Sequence, residues 1–173
     1  SSDLFATAVA KGKESLEEFA DIQLEGVIGD AREAAGRINA ALPRGLEVRR
    51  IERLESGEAP VAKIVRGFRY RVSLPPELCG EDLEQRIARF LALPSVIVER
   101  EGKGGVSRKD VRPYVEGIAL DRGAGSLEIV LRFDEGRTAR PADILGLALG
   151  LDDEGLRGLR VVKTRTILES DEG

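Results

Sequence analysis

Phe68-Arg69-Tyr70-Arg71-Val72-Ser73-Leu74-Pro75-Pro76 is the stretch on which the reading of this chain turns. Successive side chains of a strand point to opposite faces. Phe68, Tyr70, Val72 and Leu74 therefore form an apolar face, and Arg69, Arg71 and Ser73 a polar one. The proline pair cannot continue a hydrogen-bonded ladder and closes the strand. Downstream, Leu83, Ile87, Phe90 and Leu91 recur at helical spacing within Glu81 to Leu93, and Pro94 stops the helix. A short apolar strand, Val96-Ile97-Val98, comes next.

Upstream, Glu18 to Leu24 reads as a strand with Ala20, Ile22 and Leu24 on one face. Asp30 offers an N-cap oxygen, with Glu33 at the capping-box position. Ala31, Ala34, Ala35, Ile38, Ala41 and Leu42 then follow at helical spacing until Pro43 and Gly45 end the helix. Leu46 to Leu54 reads as a strand, and Pro60 to Val65 leaves room for one helical turn. From Leu24 to Arg100 the order is thus β-α-β-β-α-β, the split ferredoxin-like unit with four antiparallel strands and both helices on one face.

The C-terminal half repeats part of that order. Val111 to Leu120 and Ser126 to Phe133 read as strands joined by the Asp121-Arg122-Gly123-Ala124-Gly125 turn. A helix starts with Pro141 at its first position and stops near Gly150. Its Ile144, Leu145, Leu147, Ala148 and Leu149 predict deep burial, and Leu159 to Leu168 supplies a last strand. The expectation is an α+β chain of two packed units with antiparallel sheets and helices on one face. Residues 1–102, with a leading strand at 4–9, form a ferredoxin-like unit, and residues 103–173 a partial ββαβ one.

Composition narrows the chemistry. The 173 residues hold 27 Lys+Arg and 31 Asp+Glu, no His, and one cysteine, Cys79. That excludes His-based acid/base catalysis, multi-Cys/His zinc sites, a self-contained Cys-ligated Fe–S cluster and an internal disulfide. No apolar run approaches the roughly 20 residues that span a bilayer, and no signal-peptide pattern opens the chain. A cytoplasmic protein without membrane contact is expected. The chain opens Ser1-Ser2-Asp3, without an initiator Met, and runs straight into the alternating Leu4 to Val9, which points to an N-terminal truncation.

The net charge of −4 hides two basic stretches. Residues 44–72 carry 8 basic and 4 acidic groups, and residues 98–112 carry 5 and 3. On the expected sheet Arg69 and Arg71 share the open face, where Arg49 and Lys63 join them. Arg108, Lys109 and Arg112 form the second basic group. An open sheet face carrying arginine suits RNA phosphates. Base-reading sheets also expose aromatics, whereas Phe68 and Tyr70 face the core. The alternative is a solvated face crossed by ion pairs with Glu47, Glu52 and Glu99.

Other motifs carry less. Arg100-Glu101-Gly102-Lys103-Gly104-Gly105 lacks phosphate-loop spacing and reads as a hairpin. Asp110, ringed by Arg108, Lys109 and Arg112, is the one candidate for a catalytic nucleophile or base. More often such an Asp closes a turn or pairs with an arginine. Cys79 has no His to activate it and reads as packing near a helix start. Arg140 and Asp143 read as end-capping residues of the third helix.

Several stretches, taken in order, resemble the radical SAM-linked family, a domain fused to or encoded beside radical SAM proteins. Gly12, Glu14, Ser15, Glu18 and Asp21-Ile22-Gln23-Leu24 look like its G-x-E-S-x-x-E-x-x-D-x-x-L stretch. Ile38-Asn39-Ala40-Ala41-Leu42-Pro43-Arg44-Gly45-Leu46-Glu47-Val48 resembles L-N-x-x-L-P-x-G-L-x-V. Tyr70-Arg71-Val72, Asp110-Val111-Arg112-Pro113 and Arg140-Pro141-Ala142-Asp143-Ile144-Leu145 match further landmarks. The family's preceding Gly-Phe-x-Pro-x-Pro turn is absent, as is the C-x-x-x-C-x-x-C hallmark of radical SAM enzymes. The resemblance implies a radical SAM partner, fused or separate, that would hold the Fe–S cluster and SAM, and no cofactor in this chain. The expected role is an accessory module recognising RNA without catalysis of its own. The alternatives are an RNA-modifying enzyme using Asp110, or a protein-binding domain using the third helix or a free strand edge.

Overall fold

A computed structural model describes residues 4–5, 14–22, 29–102 and 105–171. In chain order the elements are β1 (Leu4–Phe5), β2 (Glu14–Ser15), β3 (Ala20–Asp21), α1 (Ala31–Ala41), α2 (Val61–Ile64), β4 (Val65–Ser73) and α3 (Leu83–Ala92). There follow β5 (Ile97–Gly102), β6 (Gly105–Asp110), β7 (Val115–Asp121), β8 (Ser126–Arg132), α4 (Pro141–Leu149), α5 (Asp153–Arg157) and β9 (Arg160–Leu168).

The fold is α+β, and β4 lies at its centre. A five-stranded sheet runs β2-β9-β4-β8-β7, with β2 parallel to β9 and the other pairs antiparallel. The alternation expected in 68–74 holds: Phe68 and Val72 are fully buried while Arg71 and Ser73 are exposed. Leu127, Ile129 and Leu131 of β8 continue the apolar face, each no more than 1% exposed. Leu83, Ile87 and Phe90 of α3 join Ile144, Leu145, Ala148 and Leu149 of α4 in the same core. Both helices thus cover one face of the sheet, and none of the described helices covers the arginine face.

Gly67 is required where β4 meets β8, because a Cβ there would stand 2.5 Å from the Leu131 carbonyl oxygen. Gly150 takes a left-handed φ of 66° to end α4, and Gly125 one of 57° in the β7–β8 turn.

The first expected ferredoxin-like unit is not assembled in the way the sequence suggested. Leu46 to Leu54 forms no strand. Neither of its faces is continuously apolar, since Glu47, Arg49, Arg50, Glu52 and Arg53 fall on both. In place of a strand partner, the Asn39 amide holds the Val48 backbone, donating to Val48 O at 3.0 Å and accepting from Val48 N at 2.6 Å. Of the expected 18–24 strand, Ala20–Asp21 pairs with Leu4–Phe5 in a separate two-stranded ladder. Residues 6–9 of the leading strand, and Gln23 and Leu24, lie outside the described residues. The strand after α3 pairs with β6, apart from the main sheet.

The later order β7, β8, α4, β9 is as expected except for α5, a short helix the sequence did not suggest, which stands between α4 and β9. A single-turn helix at Arg112–Tyr114 separates β6 from β7 within the stretch expected as one strand. The division expected between residues 102 and 103 falls between the paired β5 and β6. The main sheet draws β4 from before that point and β7 to β9 from after it. Among the described residues no helix is long and apolar enough to cross a membrane.

Candidate nucleic-acid interface

Residues directly opposite in a ladder share a face, so the register of β4 gives the composition of the open side. Arg69 lies opposite Val130 of β8 and Arg165 of β9, Arg71 opposite Glu128 and Val162, and Ser73 opposite Ser126 and Arg160. Arg132 of β8 faces the same way, two residues from Val130. Five arginines therefore stand on one surface that is open among the described residues, and none of these ladder positions is aromatic.

Acidic side chains cross that surface. Arg69 meets Glu128 at 3.2 Å, Arg165 meets Asp171 at 2.8 Å, and Arg132 meets Glu116 at 3.4 Å. Arg160 donates from Nε and Nη2 to both oxygens of Glu14, and this grip holds the Glu14 carboxyl below its ordinary pKa. Arg71 makes no ion pair among the described residues, and the Arg69 Nε–H, shielded from solvent, has no partner. Ion pairs this exposed are worth little and are readily exchanged for another anion. The acids differ from those expected: Glu52 pairs with Arg50 and Glu99 with Arg108.

The other expected contacts do not gather on this face. Arg49 sits in the irregular segment after α1. There it lines a shallow cavity of about 320 Å³ with Arg32, Arg50 and Ile51. Lys63 is exposed on α2. Neither belongs to the sheet, because the strand that was to carry Arg49 does not form. Arg108 is paired to Glu99 across the β5–β6 hairpin at 2.6 Å. Lys109 donates to Thr138 O at 2.7 Å and lies 4.6 Å from the centre of the Tyr114 ring. Arg112 is a backbone clamp. Its Nε and Nη2 donate to Leu91 O at the end of α3 (3.2 and 2.7 Å), and its Nη1 to Val115 O at 2.9 Å.

Asp110 has the turn-closing geometry. Its Oδ1 accepts from Val96 N at 2.8 Å and from Arg112 N at 3.0 Å, joining the residue before β5 to the end of β6. The Val96 amide chiefly holds its carboxyl below the ordinary carboxylate range. Cys79 lies half-buried against the core, its Sγ 3.6 Å from Pro75 O. Among the described residues no three Cys, Asp or Glu side chains gather to hold a metal ion.

One cluster escaped the sequence reading. Lys163 of β9 is 6% exposed; its Nζ stands 2.5 Å from Glu18 Oε1 and 5.0 Å from the centre of the Phe68 ring. Burial, and then Glu18, push the Tyr70 hydroxyl up to about 12. A register shift between Arg69 and Tyr70 along β9 sends Lys163 inward and Arg165 outward, which simple alternation does not foretell. The signal lay in the Glu14–Asp21 stretch. Glu14 holds Arg160, the Glu17 carboxylate accepts from Thr166 N at 2.7 Å, Glu18 holds Lys163, and Asp21 accepts from Val61 N at 2.8 Å. Those acids fasten residues 14–21 along β9 and to the start of α2.

The fold and this surface define a class: an α+β protein whose mixed sheet carries helices on one side and arginines on the other. The chain belongs to the family described as "Uncharacterized protein conserved in bacteria (DUF2344)", which matches residues 4–141. No curated protein and no solved structure matches it.

Proposed function

We propose that this chain is a non-catalytic recognition module that binds RNA on the open face of its sheet and serves a radical SAM protein. The observation that carries this reading is the convergence of Arg69, Arg71, Arg132, Arg160 and Arg165 on one face of the sheet, open among the described residues. Guanidiniums in a row suit a phosphate backbone, and each neutralised phosphate releases counterions, so binding weakens as salt rises. Without aromatics on the face only guanidinium planes are left to stack bases, and the module grips by backbone and shape more than by sequence. The radical SAM partner comes from the sequence resemblance, and the Fe–S cluster and SAM would reside in that partner. Asp110 has no catalytic part in this reading; its Oδ1 serves the turn by accepting from two backbone amides.

The test is the affinity of bulk tRNA and rRNA fragments for the wild-type chain and for Arg69→Glu/Arg71→Glu. The expected result is micromolar binding that the double reversal weakens at least about tenfold, with the circular dichroism unchanged. Equal affinity for the two proteins would reject the RNA role. The partner is tested separately, by co-purification with a radical SAM protein from the same cells.

A further inference from the structure

A second basic site lies where the β5–β6 hairpin meets the segment leading into α4. Asp134 N donates to Arg137 O at 2.9 Å, and Arg137 N donates back to Asp134 O at 2.8 Å. The two residues between them, Glu135 (φ 45°) and Gly136 (φ 79°), both have positive φ. Such turns favour Asn or Gly at the first position, so Glu135 is held there under strain. The turn presents Arg137, and Arg140 stands at the cap of α4 three residues later.

The hairpin brings two more cations to the same place. Val98 pairs with Lys109 and Arg100 with Ser107, so Arg100 and Lys109 share one hairpin face. Arg100 pairs with Asp143 in the first turn of α4, and the Lys109 ammonium grips Thr138 O. The hairpin thus sets Arg100 and Lys109 against the segment that carries Arg137 and Arg140. Arg140 makes no ion pair among the described residues, and the bond from Arg137 to Glu135 joins two largely exposed side chains (60% and 79%). The guanidiniums of Arg100, Arg137 and Arg140 disfavour the charge on Lys109, and the Asp143 carboxylate favours it. Burial and these like charges lower the Lys109 pKa. Crowding like charges costs stability unless an anion relieves it.

We propose that the junction of the β5–β6 hairpin with residues 134–143 binds a phosphate group, held chiefly by Arg137, Arg140 and Lys109. The site uses no residue of the open sheet face and does not depend on the RNA reading. Arg137 and Arg140 supply unclaimed or weakly claimed donors. Lys109, fixed through Thr138, supplies a positioned charge. Planar guanidiniums match phosphate oxygens two at a time, which gives geometric selectivity over a halide.

The experiment titrates inorganic pyrophosphate into the intact chain and follows thermal unfolding. For the wild type, Tm should rise saturably, by about 4 °C at ten times the Kd. Arg137→Ala/Arg140→Ala should start from an equal or higher Tm, because repulsion is relieved, and should bind pyrophosphate at least about tenfold more weakly. Arg69→Glu/Arg71→Glu should keep the whole shift, which separates failure of this site from failure of the sheet face. In the Arg69→Glu/Arg71→Glu protein, where the sheet face is disabled, a short RNA with and without a 5′-phosphate identifies the source. A larger shift on phosphorylation assigns the site to a terminal phosphate, and equal shifts assign it to the diester backbone. No saturable shift in the wild type, or the same shift in the Arg137/Arg140 variant, would overturn the proposal.

Discussion

Two helices with well-formed ends, α1 and α4, meet opposite fates in this fold. The eleven residues of α1 begin at a side-chain cap, where Asp30 accepts from Arg32 N at 2.8 Å, yet none of them is buried. The nine residues of α4 have no side-chain cap, yet Ile144, Leu145, Ala148 and Leu149 all lie in the core. Caps and spacing decide that a segment is helical, whereas apolar volume decides whether it joins the core. Alanine recurs along the inner stripe of α1 and offers little to bury; α4 presents leucine and isoleucine. The difference extends to the neighbouring segments. The polypeptide after α1 runs irregularly from Leu42 to Pro60, with Asn39 holding Val48, whereas the strands on either side of α4 build the main sheet.

The largest test of this contrast is Leu145→Ala. Removing a side chain only 1% exposed should cost about 3 kcal/mol in denaturant unfolding. A loss under about 1 kcal/mol would mean that α4 is no more central than α1. Next comes Arg112→Ala, which deletes the clamp between Leu91 and Val115. It should destabilise by about 2 kcal/mol while leaving RNA affinity unchanged after correction for the folded fraction. Weakened RNA binding in a fully folded variant would return Arg112 to the contact surface. The smallest effect belongs to Asp30→Ala, which removes an exposed cap from a helix outside the core. Global stability should fall by no more than about 1 kcal/mol, and faster hydrogen exchange should be confined to α1. Faster exchange reaching β4 would show that α1 supports the sheet after all.

The central strand was legible because 68–74 alternates without interruption and proline closes it. The same clarity served β7, β8, α4 and β9, where apolar residues fill one face. Leu46 to Leu54 misled because its apolar residues alternate locally while charges break both faces, and a side-chain amide took the place of a strand partner. Strand pairing was illegible for a different reason. Nothing local tells β4 that its neighbours lie some 60 and 95 residues further on, and long-range pairing is settled by matching whole apolar faces. On the open face Arg69 and Arg71 were legible from alternation alone. Arg165 and Lys163 were not, because the irregularity in β9 reverses the phase between them. Asp110 was legible as a turn-closing carboxylate from its setting beside Arg112, and Arg112 itself was read as a phosphate contact because a backbone clamp leaves no pattern in sequence.

The claim that the open sheet face binds RNA is tested most directly by the salt dependence of that binding. Anisotropy of a labelled single-stranded RNA should be recorded across a salt series for the wild-type chain, for Arg71→Ala and for Arg71→Ala/Arg165→Ala. The account predicts a linear fall of log affinity with log salt, its slope becoming shallower by about 0.7 for each arginine removed. Three identical slopes, or no binding even at low salt, would contradict it.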